Sequence, residues 1–226
     1  MLGYWSCGAA SSFGGPRRIP FFTKKFDDAD TLAELSSLVL CREEAIKRCF
    51  PSAKVGGAEA IQDSLTSRYY AYNLLAWQEP CVRRLAGFIH GSYLEMLGQL
   101  PCLDRDETFI QCWANTVRKG QCIHVHNHGD AKSYFSGNLA VRVAQHESSF
   151  THYSPEREMD PDQRLSFNNE PGLVTFFPSW LFHFTDPWPH DEVRITIAFD
   201  IVLRPVFERQ ARYRVGRKYI PFDCRS

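Results

Sequence analysis

The sequence predicts an α+β fold: helices first, then an all-β half built as a jelly-roll, with the helices packed on one face. Three observations predict it. Apolar residues recur at helical intervals in two segments before residue 105. After that point short β-rich runs alternate with turn residues. The 226 residues, 44% of them apolar, suit one structural unit with a substantial core.

Residues 1–25, with Gly14, Gly15, Pro16 and Pro20, read as irregular. A helix follows. Thr31 and Glu34 have capping-box spacing, and Leu32, Leu35, Leu38, Val39, Ile46 and Cys49 fall on one stripe before Pro51 ends it. Residues 52–66 read as a loop or short turns. Pro80 is well placed as the first residue of a second helix. Its apolar stripe is Val82, Leu85, Ala86, Ile89, Tyr93, Met96 and Leu97, and Gly98 and Pro101 close it. Strand-like runs then cover 107–117, 121–126, 134–143, 149–153, 164–168, 172–177, 180–184 and 193–203. The division expected is a helical extension over 1–105 packed on a β core over 106–226, as one structural unit.

Composition narrows the function. Formal net charge is zero and the pI is near 7.1, so no basic excess or run of like charge points to nucleic acid. No apolar run reaches membrane-spanning length. Met1 to Gly15 lacks the basic start and apolar stretch of a secretory signal. Eight cysteines are scattered without a C-x-x-C pair, which reads as free thiols in a reducing, cytoplasmic setting rather than a disulfide framework.

The densest polar cluster is His124-Val125-His126-Asn127-His128-Gly129-Asp130. Residues two apart on a strand face one side, so His128 and Asp130 would aim an imidazole and a carboxylate at one point. His183 sits in the apolar run Pro178-Ser179-Trp180-Leu181-Phe182-His183-Phe184. Two histidines and a carboxylate with open positions form the facial triad of non-haem Fe(II) oxygenases. Each piece alone has a plainer reading, a solvated loop or a satisfied core histidine; the combination carries the case. Arg194 and Thr196 share one face of the alternating run 193–199, pairing a guanidinium with a hydroxyl suited to gripping a carboxylate. Asn115, on the run before the first histidines, is a further candidate toward the cofactor, as is Asn138. Trp180, Phe182 and Phe184 read as core packing. Arg68, Tyr69, Tyr70 and Tyr72, ahead of Trp77, read as surface or interdomain packing, with a substrate entrance as the alternative.

His128-Gly129-Asp130, His183 and Arg194-Ile195-Thr196 resemble the His-x-Asp … His … Arg-x-Ser/Thr pattern of the 2-oxoglutarate/Fe(II)-dependent dioxygenases. Ser136-Gly137-Asn138 and the segment Pro171 to His183 resemble the Ser-Gly strand and the Phe-Pro-Ser-Trp-Leu-x-His segment of that superfamily's prolyl-hydroxylase-like branch. The likeness covers residues 109–203. It implies a double-stranded β-helix (jelly-roll, cupin-like) core, with Fe(II) held by His128, Asp130 and His183, and 2-oxoglutarate and O2 as co-substrates. Arg194 and Thr196 would hold the distal carboxylate of 2-oxoglutarate. The activity implied is hydroxylation of an amino acid, peptide or small metabolite, releasing succinate and CO2.

One register stays open. Members of this branch often carry His-x-His at the first site, and His126-Asn127-His128 stands directly upstream of Asp130. The favoured set keeps Asp130, because a carboxylate brings the iron nearer neutrality. Two other readings compete: a cupin-type metal dioxygenase using His124, His126, His128 and His183 without 2-oxoglutarate, and a non-catalytic β-barrel binding protein. The Arg194-x-Thr196 pair separates the first of these, which needs no clamp for a distal carboxylate. Asp130 also speaks against a halogenase, whose halide takes the carboxylate's place.

Overall fold

Two antiparallel sheets face one another in the computed structural model, which describes residues 1–7, 17–53, 61, 63–100, 107–129, 135–143, 149–158, 164–212 and 218–222. In chain order the elements are β1 (Leu2–Cys7), β2 (Arg17–Lys25), α1 (Ala29–Cys49), α2 (Pro80–Gln99), β3 (Thr108–Val117), β4 (Phe135–Arg142), β5 (Phe150–Ser154), β6 (Leu165–Asn168), β7 (Leu173–Pro178), β8 (Phe182–Thr185), β9 (Arg194–Leu203), α3 (Arg204–Arg212) and β10 (Ile220–Pro221). The larger sheet runs β1-β2-β7-β4-β9-β3-β10 and the smaller β6-β5-β8. This is the α+β jelly-roll order that the sequence predicts.

The helices cover the outer face of the larger sheet. Leu32, Leu35 and Val39 of α1 and Val82, Leu85, Ile89 and Met96 of α2 pack with Phe22, Leu139, Phe176, Ile195, Ile197, Phe199 and Ile201 of the strands. Each fully buried aliphatic side chain contributes about 1.5–3 kcal/mol over its exposed state. Helix α1 starts one turn earlier than its capping-box spacing suggests. Asp28 is the cap: one carboxylate oxygen accepts from Thr31 N at 2.9 Å and the other from the Thr31 hydroxyl at 2.6 Å. Helix α2 starts on Pro80 as expected.

Three local expectations need correction. Residues 1–25 are not irregular throughout, because β1 and β2 pair as a hairpin and β2 continues into the larger sheet beside β7. Pro20 disguised this strand. It is tolerated because β7 pairs only with Phe22–Lys25, so Pro20 needs no donor on that side. The larger sheet thus crosses the division drawn at residue 105. The strand expected over 121–126 is reduced to one bridge, His126 to His183, flanked by single bonds such as Thr185 N to Ile123 O. It still places this segment beside β8, along the edge of the smaller sheet. Helix α3, not anticipated, packs Phe207 on Phe109 with ring centres 4.0 Å apart.

Among the described residues no helix is long and apolar enough to cross a membrane, and Cys41, Cys49, Cys81, Cys112 and Cys122 are free thiols.

Candidate active site

Strand alternation decides what faces the space between the sheets. From β3 come Trp113 and Asn115, from β4 Asn138, from β5 Thr151 and Tyr153, and from β9 Arg194, Thr196 and Ala198. With His126, His128 and His183 they line a cavity of about 800 Å³, including its open mouth. Thr66 and Tyr69 close one side.

The three histidines converge. His126 and His183 exchange both backbone bonds across the bridge, at 3.1 and 2.8 Å, so their side chains stand together. His128, two residues on, points the same way and is anchored by its own N–H to Ser179 O at 2.9 Å. One ring nitrogen from each lies within 4.8 Å of the others. Every outer ring nitrogen faces an acceptor. His126 Nδ1 lies 2.8 Å from His124 O, His183 Nδ1 3.2 Å from Leu181 O, and His128 Nδ1 2.5 Å from a carboxylate oxygen of Asp200. Carbonyls and carboxylates only accept, so each Nδ1 carries the proton and each Nε2 is left bare. His126 Nε2 and His128 Nε2 then face each other as lone pairs at 3.2 Å. Such a contact calls for a cation between them. Burial, then the neighbouring His128, holds the His126 imidazolium down at about 3. Burial, then His126 and His128, also pushes His183 far down. Both rings are therefore neutral donors, the state a metal requires. The donor set fits a divalent transition metal.

Arg194 stands in the same cavity. Its residue is 2% exposed, and its Nε has no partner. Burial lowers its guanidinium to about 10, against the pull of Tyr153 and Asp186, so it remains a cation at neutral pH. Among the described residues no carboxylate forms a salt bridge with Arg194, and a buried cation so placed is costly, which makes the position one for an anionic ligand. Thr196, next on the same face, accepts from Asn115 Nδ2 at 3.2 Å across the β3–β9 pair. Tyr153 lies over His183 with ring centres 6.1 Å apart, and burial drives its phenol up, so it stays protonated.

Residues 111–200 match the sequence model of a family described as "Putative 2OG-Fe(II) oxygenase". That stretch, about two fifths of the chain, carries the sequence pattern of the 2OG-Fe(II) oxygenases. The match begins in β3 and ends on Asp200, so it takes in the whole histidine cluster and Arg194. The chain also shares its fold with solved structures. A prolyl 4-hydroxylase from Pseudomonas putida superposes with a TM-score of 0.55 at 12% identity, over 81% of this chain and 92% of that one. An α-ketoglutarate-dependent epimerase of nogalamycin biosynthesis gives 0.56 at 12%, over 81% and 77%. A viral collagen prolyl hydroxylase from Paramecium bursaria Chlorella virus 1 gives 0.52 at 13%, over 80% and 94%. No curated protein matches in sequence. The core is the double-stranded β-helix that the motifs implied. The protein is a non-haem iron oxygenase that uses Fe(II) and 2-oxoglutarate.

Of the residues singled out in the sequence, His128, His183, Arg194, Thr196 and Asn115 meet in this cavity. Asp130 lies outside the described residues. Gly129 before it takes φ 136°, outside the strand region, so the two-residue alternation stops at His128. Phe184 and Tyr69 line the cavity rather than serving only as packing. Arg68 and Tyr72 instead lock the loop before α2: Arg68 donates to Ser64 O at 3.0 Å, and the Tyr72 hydroxyl accepts from Ala114 N at 3.0 Å. Sequence reasoning overlooked Tyr153 and Asp200. Asp200 shares the Arg194–Thr196 face six residues on, but it stands out only once His128 is seen opposite it.

Proposed function

We propose that this oxygenase hydroxylates a small molecule or peptide, with Fe(II) held by His126, His128 and His183 and 2-oxoglutarate anchored on Arg194. One observation carries the reading: a buried guanidinium with an unpartnered Nε opens into the same cavity as three converging imidazole nitrogens that carry no proton. When bound, Fe(II) and 2-oxoglutarate supply the activation of dioxygen.

The chain's own residues do the rest. Arg194 grips the distal carboxylate by charge-assisted bonds, and Thr196, steadied by Asn115, adds a hydroxyl. Tyr153, protonated beside Arg194, is a third donor toward the same carboxylate. Tyr69, Trp113 and Phe184 give the mouth apolar walls, which shield the site from water and favour a substrate with an apolar face. Amino acids, peptides and small metabolites with such a face stay eligible. No described feature calls for nucleic acid, and the free thiols agree with a reducing, cytoplasmic location.

A cupin-type enzyme without 2-oxoglutarate leaves buried Arg194 without a purpose. The set His128, Asp130 and His183 differs from ours in one ligand, and variants separate the two. After anaerobic reconstitution, His126→Ala is expected to lose iron, while Asp130→Ala keeps it. Iron retained by His126→Ala and lost by Asp130→Ala returns the carboxylate to the ligand set. Succinate release over a panel of amino acids, peptides and metabolites then finds the substrate.

A further inference from the structure

A site of three neutral imidazoles lacks the anionic ligand that brings Fe(II) closer to neutrality. We propose that Asp200 supplies that charge from behind, through His128, as a positioning residue. The inference rests on the histidine set of the preceding subsection.

Asp200 lies on the cavity face of β9 and is fully buried. A carboxylate in such a place is costly unless hydrogen-bonded. Its Oδ1 accepts from His128 Nδ1 at 2.5 Å and from the Ser136 hydroxyl at 2.6 Å. Ser136 Oγ lies 2.8 Å from Ser179 Oγ, and Ser179 also supplies the carbonyl that fixes the His128 backbone. β4, β9 and the turn before β8 thus converge on one imidazole. The carboxylate draws the Nδ1 proton toward itself, so negative charge builds on Nε2, the atom turned to the metal. Outer partners of this kind raise the basicity of a ligand and fix its tautomer. His126 and His183 have only backbone carbonyls in that position. Asp200 therefore makes His128 the most electron-rich of the three, and the one that stands in for a carboxylate.

Asp200→Asn separates charge from structure, because the amide has the same shape and its oxygen can still accept from His128. The probe is Co(II), titrated into the metal-free protein and followed by its visible absorption. We expect the D200N protein to melt near the wild type but bind Co(II) roughly 10- to 100-fold more weakly. Ser136→Ala, which leaves the carboxylate in place, should retain most of the affinity. Wild-type affinity in D200N overturns the inference and leaves the proposed function standing. A wild-type chain that binds no Co(II) removes both. Should D200N fail to fold, nitrogen-15 NMR of the wild-type metal-free protein decides. A His128 ring protonated on Nδ1 supports the relay, and one protonated on Nε2 overturns it.

Discussion

At the scale of single residues, the site depends on burial of groups that are costly to bury. Arg194 is the clearest case, a cation enclosed with Nε unpartnered. Arg194→Ala should leave iron loading intact but weaken 2-oxoglutarate by about 2–5 kcal/mol, as for truncating one member of a buried charge pair. That is about thirtyfold to several thousandfold in Kd, measured by calorimetry on the Fe(II)-loaded protein under argon. An unchanged affinity would remove Arg194 from the clamp. Arg194, Thr196 and His183 were legible because strand alternation and an apolar setting mark inward-facing polar groups. The ligand register at 126–130 was not. The two-residue period holds from His126 to His128, and Gly129 then ends it with φ 136°, a backbone choice that residue spacing does not reveal. Asp200 was hidden for another reason: a single carboxylate in a strand is significant only once its partner, His128, is known to lie opposite.

At the scale of elements, the long helices and the central strands could be read from periodicity, whereas short or paired-off pieces could not. Strands β3, β4 and β9 match their predicted spans within one or two residues, because apolar alternation and turn residues both mark them. β1 and β2 escaped because a proline and charged ends mask their pattern, and their partner β7 is remote in sequence. The Ser136-Gly137 pair has a packing explanation in addition to its place in the motif. The Phe199 ring lies across Gly137, and an added Cβ would fall 2.1 Å from it. Gly137→Ala should therefore destabilise by at least the 1–3 kcal/mol, roughly, of ordinary overpacking, read from the denaturant midpoint. A stability equal to wild type would show that Phe199 moves freely. Asp28→Ala tests the cap of α1, with an expected loss of about 1 kcal/mol. No loss would mean that the cap belongs elsewhere.

At the scale of the molecule, the helical layer and the oxygenase core are coupled through Glu43. This α1 carboxylate is buried and accepts from the Thr116 hydroxyl at 2.8 Å and from Arg118 at 2.7 and 3.0 Å, at the end of β3. Burial alone would raise its pKa, but the bonds from Arg118 and Thr116, with the charges of Arg118 and Lys47, bring it below the usual value. A lowered folded pKa means stability that is present above the unfolded value of about 4.3 and lost as pH falls through the folded one. Glu43→Gln should be less stable than wild type at neutral pH, with the gap closing in acid. A gap independent of pH would assign the effect to packing. The central claim is that the histidines and Arg194 form one Fe(II)/2-oxoglutarate site. Its most direct test is anaerobic titration of the Fe(II)-loaded protein with 2-oxoglutarate, following the visible metal-to-ligand charge-transfer band. The account predicts a saturable band in the wild type that is lost in His183→Ala. Iron that binds but gives no band at any concentration of 2-oxoglutarate would contradict it.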